Sequence, residues 1–209
     1  MSVRLRKVLG MLMALVGGAG FFPGFVFSSG TNQQALRTFE FPLSDVQSMV
    51  MDSQGRIFVA LAFYGRIQRY DPQGRFQLGW AAQSEGGPFA LGLRGKDTIV
   101  TEVGRRQAQL LFDSDGRLLA ERPNPRQQSL PAGDPVTATG PDGSLLELRH
   151  GLFSSSIVHD SAGVVTPLIK GPGLLRYLGG FRAWLIFAVG MIIYWGGLPH
   201  WKQRQMLNL

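Results

Sequence analysis

The sequence has no cysteine in its 209 residues. Disulfide frameworks, thiolate metal sites and cysteine nucleophiles are therefore excluded, and the redox compartment is left open. Histidine is scarce. His150, His159 and His200 stand far apart, a pattern that does not make a zinc site. Phosphate-binding loops are missing too. Gly140-Pro-Asp-Gly143 and Gly171-Pro-Gly173 are turn sequences, with no G-x-G-x-x-G or Gly-Lys-Ser/Thr pattern after a strand. Ser154-Ser-Ser156 lacks the context of a nucleophile elbow. Both ends of the chain lack acidic residues, all of which lie between Glu40 and Asp160. The formal net charge of +7 consequently comes from Arg4, Arg6 and Lys7 at the start and Arg176, Arg182, Lys202 and Arg204 at the end. The stretch between is neutral. Basic residues confined to the flanks of apolar segments meet anionic lipid headgroups, so no nucleic-acid partner is expected.

Two apolar segments account for that placement. Val8–Ser28 is uncharged over 21 residues, enough to cross a hydrocarbon core of about 30 Å at about 1.5 Å per residue. Pro23 and several glycines weaken its second half as a free helix, but neighbours in a membrane tolerate both. Gly20 and Gly24 form a G-x-x-x-G pair for close helix packing. The run is long for a signal peptide and no A-x-A site follows it, so an uncleaved anchor is expected. A second span is expected over 181–199. Arg182, Trp184, Trp195, Trp201, Lys202 and Arg204 would anchor it at the interface, as Arg4, Arg6 and Lys7 would anchor the first. The basic N-terminal flank puts both termini in the cytoplasm and the middle of the chain in the periplasm, with the protein in the inner (cytoplasmic) membrane. The resulting division is a cytoplasmic tail 1–7, a first span 8–28, a connector 29–45, a β domain 46–170, a connector 171–180, a second span 181–199 and a tail 200–209. His200, beside Trp201, reads as an interfacial anchor rather than a haem ligand.

The middle of the chain repeats. The segments 46–80, 88–122 and 135–169 superpose with Gly74, Gly116 and Gly163 in register, at offsets of 42 and 47 residues, close to the period of propeller blades. Each unit carries four short β-prone runs. In the first they are Val46–Met51, Arg56–Leu61, Arg66–Tyr70 and Arg75–Trp80, and Ile57, Val59 and Leu61 alternate onto one face. Turn chemistry separates them: Asp52 with Gly55, Asp71 with Gly74, Asp113 with Gly116, and Asp160 with Gly163. In each pair the aspartate caps its own turn and the glycine supplies positive φ. The Pro-containing stretch 122–129 reads as a linker between the second and third units.

These D-x-x-G-x-hydrophobic turns, at Asp52–Ala60, Gly65–Phe76 and Asp113–Leu119, resemble the NHL-type and related six-bladed β-propeller repeats. The resemblance covers about 60% of the chain and weakens in the third unit. It implies a membrane-anchored all-β domain of three four-stranded propeller-like repeats flanked by two transmembrane helices. It does not imply one activity, because the family includes hydrolases, metal-dependent lactonases, sensors and interaction scaffolds. Three blades do not close a ring. The end blades are expected to expose apolar faces, which need a cover. A second copy, another protein, the segment Gln33–Leu43 folding back, or collapse into a different sandwich would each supply one.

No constellation of residues identifies a reaction. His159 and Asp160 are adjacent, but Asp160 repeats the turn role of Asp71 and Asp113 and His159 reads as a surface residue. Glu102, Glu121 and Glu147 lie on or beside strands without a complete channel to converge in. The expectation is therefore a non-enzymatic accessory or assembly subunit of a larger membrane complex, respiratory or photosynthetic being one plausible host. It has no catalytic, metal or cofactor-binding residues and no cofactor, and its partners are other membrane-protein subunits, the lipid bilayer and, as an option, a second copy. The alternative is a ligand-binding or sensory ectodomain formed by dimerisation; a propeller hydrolase ranks below both.

Overall fold

The computed structural model describes residues 2–28, 36–95, 97–123, 136–151, 154–161, 163–173 and 181–195, with the backbone alone at 21–28, 161 and 181. Among the described residues there are two helices and twelve strands. Helix α1 spans Val3–Ser28. Blade 1 follows as β1 (Val46–Met51), β2 (Ile57–Leu61), β3 (Arg66–Tyr70) and β4 (Phe76–Ala81). Blade 2 is β5 (Phe89–Arg94), β6 (Thr98–Val103), β7 (Ala108–Phe112) and β8 (Leu118–Pro123). Blade 3 is β9 (Thr137–Thr139), β10 (Leu145–His150), β11 (Ser155–Ser161) and β12 (Val164–Ile169), and helix α2 closes the order at Phe181–Trp195. Each blade is a four-stranded antiparallel meander with strands in chain order. The β domain is therefore propeller-like, and the repeat boundaries match those in the sequence to within a residue or two.

The turns explain the regularity. Asp52, Asp71 and Asp113 each accept two backbone N–H bonds through Oδ1, from the residues two and four positions on, at 2.8–3.0 Å. Gly55, Gly74 and Gly116 donate back to the aspartate carbonyls with φ of 76°, 75° and 78°, a left-handed conformation that favours glycine. Blade 3 departs from the pattern. Gly140 takes the aspartate's place in its first turn, and Asp142 instead accepts from Ser144 N and Oγ at 3.0 and 2.6 Å.

The blades do not stack in chain order. The inner strand β1 lies beside both β5 and β9, so blade 1 sits between the other two. On one side Ile57, Val59 and Leu61 pack with Ala138, Leu146, Leu148, Ile157 and Ile169 of blade 3. On the other, Phe58, Ala60, Ile67 and Trp80 pack with Phe89, Ile99, Val103, Leu110 and Phe112 of blade 2. Residues alternate between faces along a strand, so β2 supplies one set to each core. Each blade turns the same face to its successor. Ile99 and Val103 of blade 2 are the repeat equivalents of Ile57 and Leu61, while Leu146 and Leu148 of blade 3 take the places of Phe58 and Ala60 by hairpin register. The order in space is thus blade 3, blade 1, blade 2, head to tail throughout.

The segment before β1 does fold back. Phe41 and Leu43 are buried in the core shared by blades 1 and 3. The amide of buried Gln68 holds this strap at both backbone atoms of Phe41: its oxygen accepts from Phe41 N and its Nε2 donates to Phe41 O at 3.1 Å. Arg66, fully buried, donates to Leu36 O at 3.1 Å and lies 5.2 Å over the Phe41 ring. Gly79 N, on the outer edge of β4, donates to Arg37 O at 2.8 Å. The strap therefore covers an edge that would otherwise present unpaired backbone groups.

Helices α1 and α2 pack against each other in antiparallel register. A Cβ added to Gly10 would lie 2.6 Å from Tyr194 N, and one added to Gly190 would lie 2.5 Å from Ala14 N; at Gly17 it would run into Phe187 N. The two backbones touch directly at these glycines, which is the geometry that small residues permit. Helix α1 begins at Val3, so Arg4, Arg6 and Lys7 belong to the helix rather than to a tail before it. Pro23 does not end it. Among the described residues, no helix is long and apolar enough to cross a membrane.

Candidate functional site

Two features stand out as surfaces able to do something: the outer faces of the helix pair and the end faces of the blade stack. On the helices, Val8, Leu12, Leu15 and Val16 of α1 and Leu185, Val189 and Ile192 of α2 are exposed, although Ala183 and the contact glycines are buried between them. The pair is apolar inside and out, with Arg4, Arg6 and Lys7 at the end of α1 remote from the blades. Of the expected anchors, Arg182 donates from Nη2 to Gly151 O at 3.1 Å, tying the start of α2 to the β10–β11 turn. Trp184 and Trp195 are exposed. Trp201, Lys202, Arg204 and His200 lie outside the described residues. Gly20 is half-buried and Gly24 lies where only backbone is described, whereas the close contacts fall at Gly10, Gly17 and Gly190. The spacing Gly10-x₃-Ala14-x₂-Gly17, one small residue per turn or so, was the available signal for that face.

The end faces correct an expectation. They are mixed rather than broadly apolar: Leu145 and Val165 are exposed on the blade 3 face, but charged residues interrupt both faces. On the free face of blade 2, Glu102, Gln109 and Arg122 occupy the places that Ala60, Ile67 and Trp80 hold on blade 1, and Gln109 Nε2 donates to Glu102 at 3.5 Å. Among the described residues, only Val100 and Leu111 remain there as buried apolar residues. On the free face of blade 3, Glu147 and Arg149 replace Val59 and Leu61 and pair with each other at 3.1 Å. Charged side chains at those positions keep an uncovered sheet face soluble, as the outer faces of terminal repeats do elsewhere.

Between the blades, polar contacts join leading faces to following turns. Arg69 of blade 1 binds Asp115 of the β7–β8 turn at 2.8 Å and donates to Ser114 O at 2.7 Å; Arg56 reaches Asp97 of the β5–β6 turn at 3.3 Å. Gln47 and Ser48 of β1 accept from Phe89 N and Leu91 N of β5 at 3.0 and 2.8 Å. None of these pairs was legible from sequence, because each depends on which blades are neighbours.

The residues weighed for catalysis fall into structural roles. Asp160 accepts from Gly163 N at 3.0 Å, the turn role expected of it, but His159 lies within β11 rather than in the turn. His150 ends β10 and its Nδ1 lies 3.1 Å from Ser155 Oγ, an exposed cross-strand pair. Glu121 pairs with Arg106 at 2.8 Å. Among the described residues no group of three or more His, Asp or Glu is arranged to hold a metal. One buried chain of polar groups lies beneath the strap: Gln68 Nε2 donates to the Tyr70 hydroxyl at 2.7 Å, and Tyr70 in turn bonds Glu40. Burial raises the Glu40 carboxyl above its usual range against the opposing Tyr70 bond. Burial, then the Glu40 charge, pushes the Tyr70 phenol well up. Burial also brings the Arg66 guanidinium down to about 10.

No protein-family model matches the chain, and no curated protein matches it. Solved structures are similar to it at a distance. A streptogramin B lyase is 16% identical with a TM-score of 0.37, over 63% of this chain and 42% of that one. A catalytically inactive virginiamycin B lyase from Staphylococcus aureus, solved with quinupristin, is 17% identical with a TM-score of 0.36, over 64% and 44%. A protein of unknown function from Bacteroides caccae is 10% identical with a TM-score of 0.19. The chain thus spans less than half the length of the two lyases. A likeness this distant carries no argument about activity.

Proposed function

We propose that the chain is a non-enzymatic accessory subunit of a membrane assembly, with the α1–α2 pair in the inner membrane and the β domain on its periplasmic side. The observation that carries this reading is the helix pair. Its two backbones meet at Gly10, Gly17 and Gly190 while apolar side chains point outward around it. An exposed apolar surface of that extent calls for lipid or protein to cover it. The antiparallel register puts the basic start of α1 beside the C-terminal end of α2, where Lys202 and Arg204 follow in sequence, in keeping with both termini on the cytoplasmic side. The NHL type of the repeats belongs to this proposal; the blade architecture does not depend on it. The non-enzymatic part is supported by the turn and ion-pair roles of Asp52, Asp71, Asp113, Asp160, Glu121 and Glu147.

The test is native mass spectrometry of the full chain extracted in mild detergent, alongside carbonate washing of its membranes. Retention in washed membranes together with copurifying subunits would support the reading. Release by carbonate would overturn the bilayer placement, and a lone 22.9 kDa species would overturn the accessory role. The second reading, a ligand-binding or sensory ectodomain completed by a second copy, is favoured by the open blade faces.

A further inference from the structure

The turn glycines of the three blades meet different surroundings. A Cβ on Gly116 would run into the Trp80 ring of blade 1, and one on Gly74 would run into the Leu168 carbonyl of blade 3. In both cases the outer strand of the preceding blade lies across the β3–β4-type turn of the next. Gly163, the third equivalent, has nothing within 4 Å, because no blade precedes blade 3. The matching outer strand with no turn beneath it is β8 of blade 2, which presents Arg122 at the place of Trp80. The stack therefore has one unfilled socket and one unused strand, at opposite ends and of matching type.

We propose that a second copy of the chain fills both ends: the free face of blade 2 in one copy docks on the free face of blade 3 in the other, and the two-fold pair closes a six-bladed ring. Three observations select this occupant. First, the contact repeats a geometry already present twice in each chain, from blade 3 to blade 1 and from blade 1 to blade 2. Second, the charges suit it. Blade 1 reaches blade 2 by placing arginines on turn aspartates, Arg56 on Asp97 and Arg69 on Asp115. The blade 2 face offers exposed Arg94 and Arg122, and the blade 3 turns offer exposed Asp142 and half-buried Asp160. Third, six blades fall within the range in which propellers close, about four to eight, and three do not. Both helix pairs would leave on the same side of the ring, since α2 is tied to the β10–β11 turn through Arg182 and Gly151 O. One bilayer can hold them both. With Glu102, Gln109, Glu147 and Arg149 in the contact, the pairing is polar and reversible. It rests on the open blade faces and not on the bilayer placement.

Cross-linking tests it against a background free of native cysteine. Arg122→Cys and Val165→Cys, both at exposed positions, are made in separate full-length chains and treated in mild detergent with a short bis-maleimide. The mixture is expected to give a dimer band at least tenfold stronger than either variant alone, since each disposes its cysteine on only one side of the contact. Mixing Arg94→Glu chains with Asp142→Arg chains, each carrying its cysteine, should restore a band that Arg94→Glu lowers. Equal bands in all samples, or no band from folded and fully labelled chains, would overturn the proposal. So would native mass spectra in which a different protein, rather than a second copy, occupies the blade 2 face. Carbonate release would leave this result untouched, so failure of the membrane reading and failure of the pairing are told apart.

Discussion

Blades 1 and 2 share a four-stranded meander and an aspartate-capped third turn at an offset of 42 residues, yet the same face of each meets a different environment. In blade 1 it carries Phe58, Ala60, Ile67 and Trp80 and is sealed by blade 2. In blade 2 it carries Val100, Glu102, Gln109 and Arg122 and meets no blade of its own chain. The strand ladders are indifferent to this change, because they run within each blade. What differs is the medium against which the side chains are solvated. A repeat fold can therefore hold one backbone plan constant and decide, by about four positions per face, whether a blade continues the stack or ends it.

The comparison breaks most sharply at Trp80. Trp80→Ala should cost about 3–5 kcal/mol of unfolding free energy, whereas Arg122→Ala at the equivalent place should stay within about 0.5 kcal/mol; urea denaturation of the two variants checks the contrast. The next effect lies in the turns. Gly163→Ala should cost about 1–2 kcal/mol from its positive φ alone. Gly116→Ala should add a further ~1–3 kcal/mol, because the new methyl meets the Trp80 ring. Equal losses in thermal melts would mean that the Trp80 contact does not restrict the turn. Third, Arg69→Ala removes a largely buried cation from Asp115 and Ser114 O. It should cost about 1.5–3 kcal/mol, against no measurable change for exposed Arg94→Ala.

The smallest effect is a pH dependence that separates the strapped blade from the others. The Glu40 carboxyl is raised by burial, so the folded state holds its proton more tightly than the unfolded one. Its stabilising contribution is complete below the unfolded value of 4.5 and is lost as pH rises through the raised folded value. Desolvation raises the Asp45 carboxyl as well, and it acts with the same sign. Stability of the β domain should therefore fall on going from pH 4 upward until Glu40 ionises, and Glu40→Gln should flatten that part of the profile in pH-dependent denaturant unfolding.

Much of this fold was legible before any coordinates. The D-x-x-G turns gave the strand boundaries of blade 1 to within a residue, because a capped turn with a left-handed glycine leaves little choice of register. The neighbours of each blade were not legible. Chain order suggests 1-2-3, and only the burial of Ile57, Val59 and Leu61 against Leu146 and Leu148 shows that blade 3 lies on the far side of blade 1. The polar end faces were visible in the alignment of the repeats, in Ala60 against Glu102 and Trp80 against Arg122, but their meaning depends on that order. The fold-back of Gln33–Leu43 was one of four covers the sequence offered, but the way it attaches was not legible. It is held by Gln68 and Arg66 of β3 and by Gly79 N of β4, in strands that otherwise read as ordinary β sequence. On the helices, the G-x-x-x-G pattern pointed to Gly20 and Gly24, while the close contacts among the described residues fall at Gly10 and Gly17, whose partner in α2 lies some 175 residues away in sequence.

The placement of the first blade between the second and the third bears on how the chain is born. Blade 1 leaves the ribosome early, and blade 2 can seal one of its faces as soon as it is made. The other face must wait for the last third of the chain, and α1 must wait for α2, the last of the described elements. The strap, which emerges before blade 1, brings Phe41 and Leu43 to that side of the core. Closing contacts between parts so far apart in sequence is expected to be the slow step of folding.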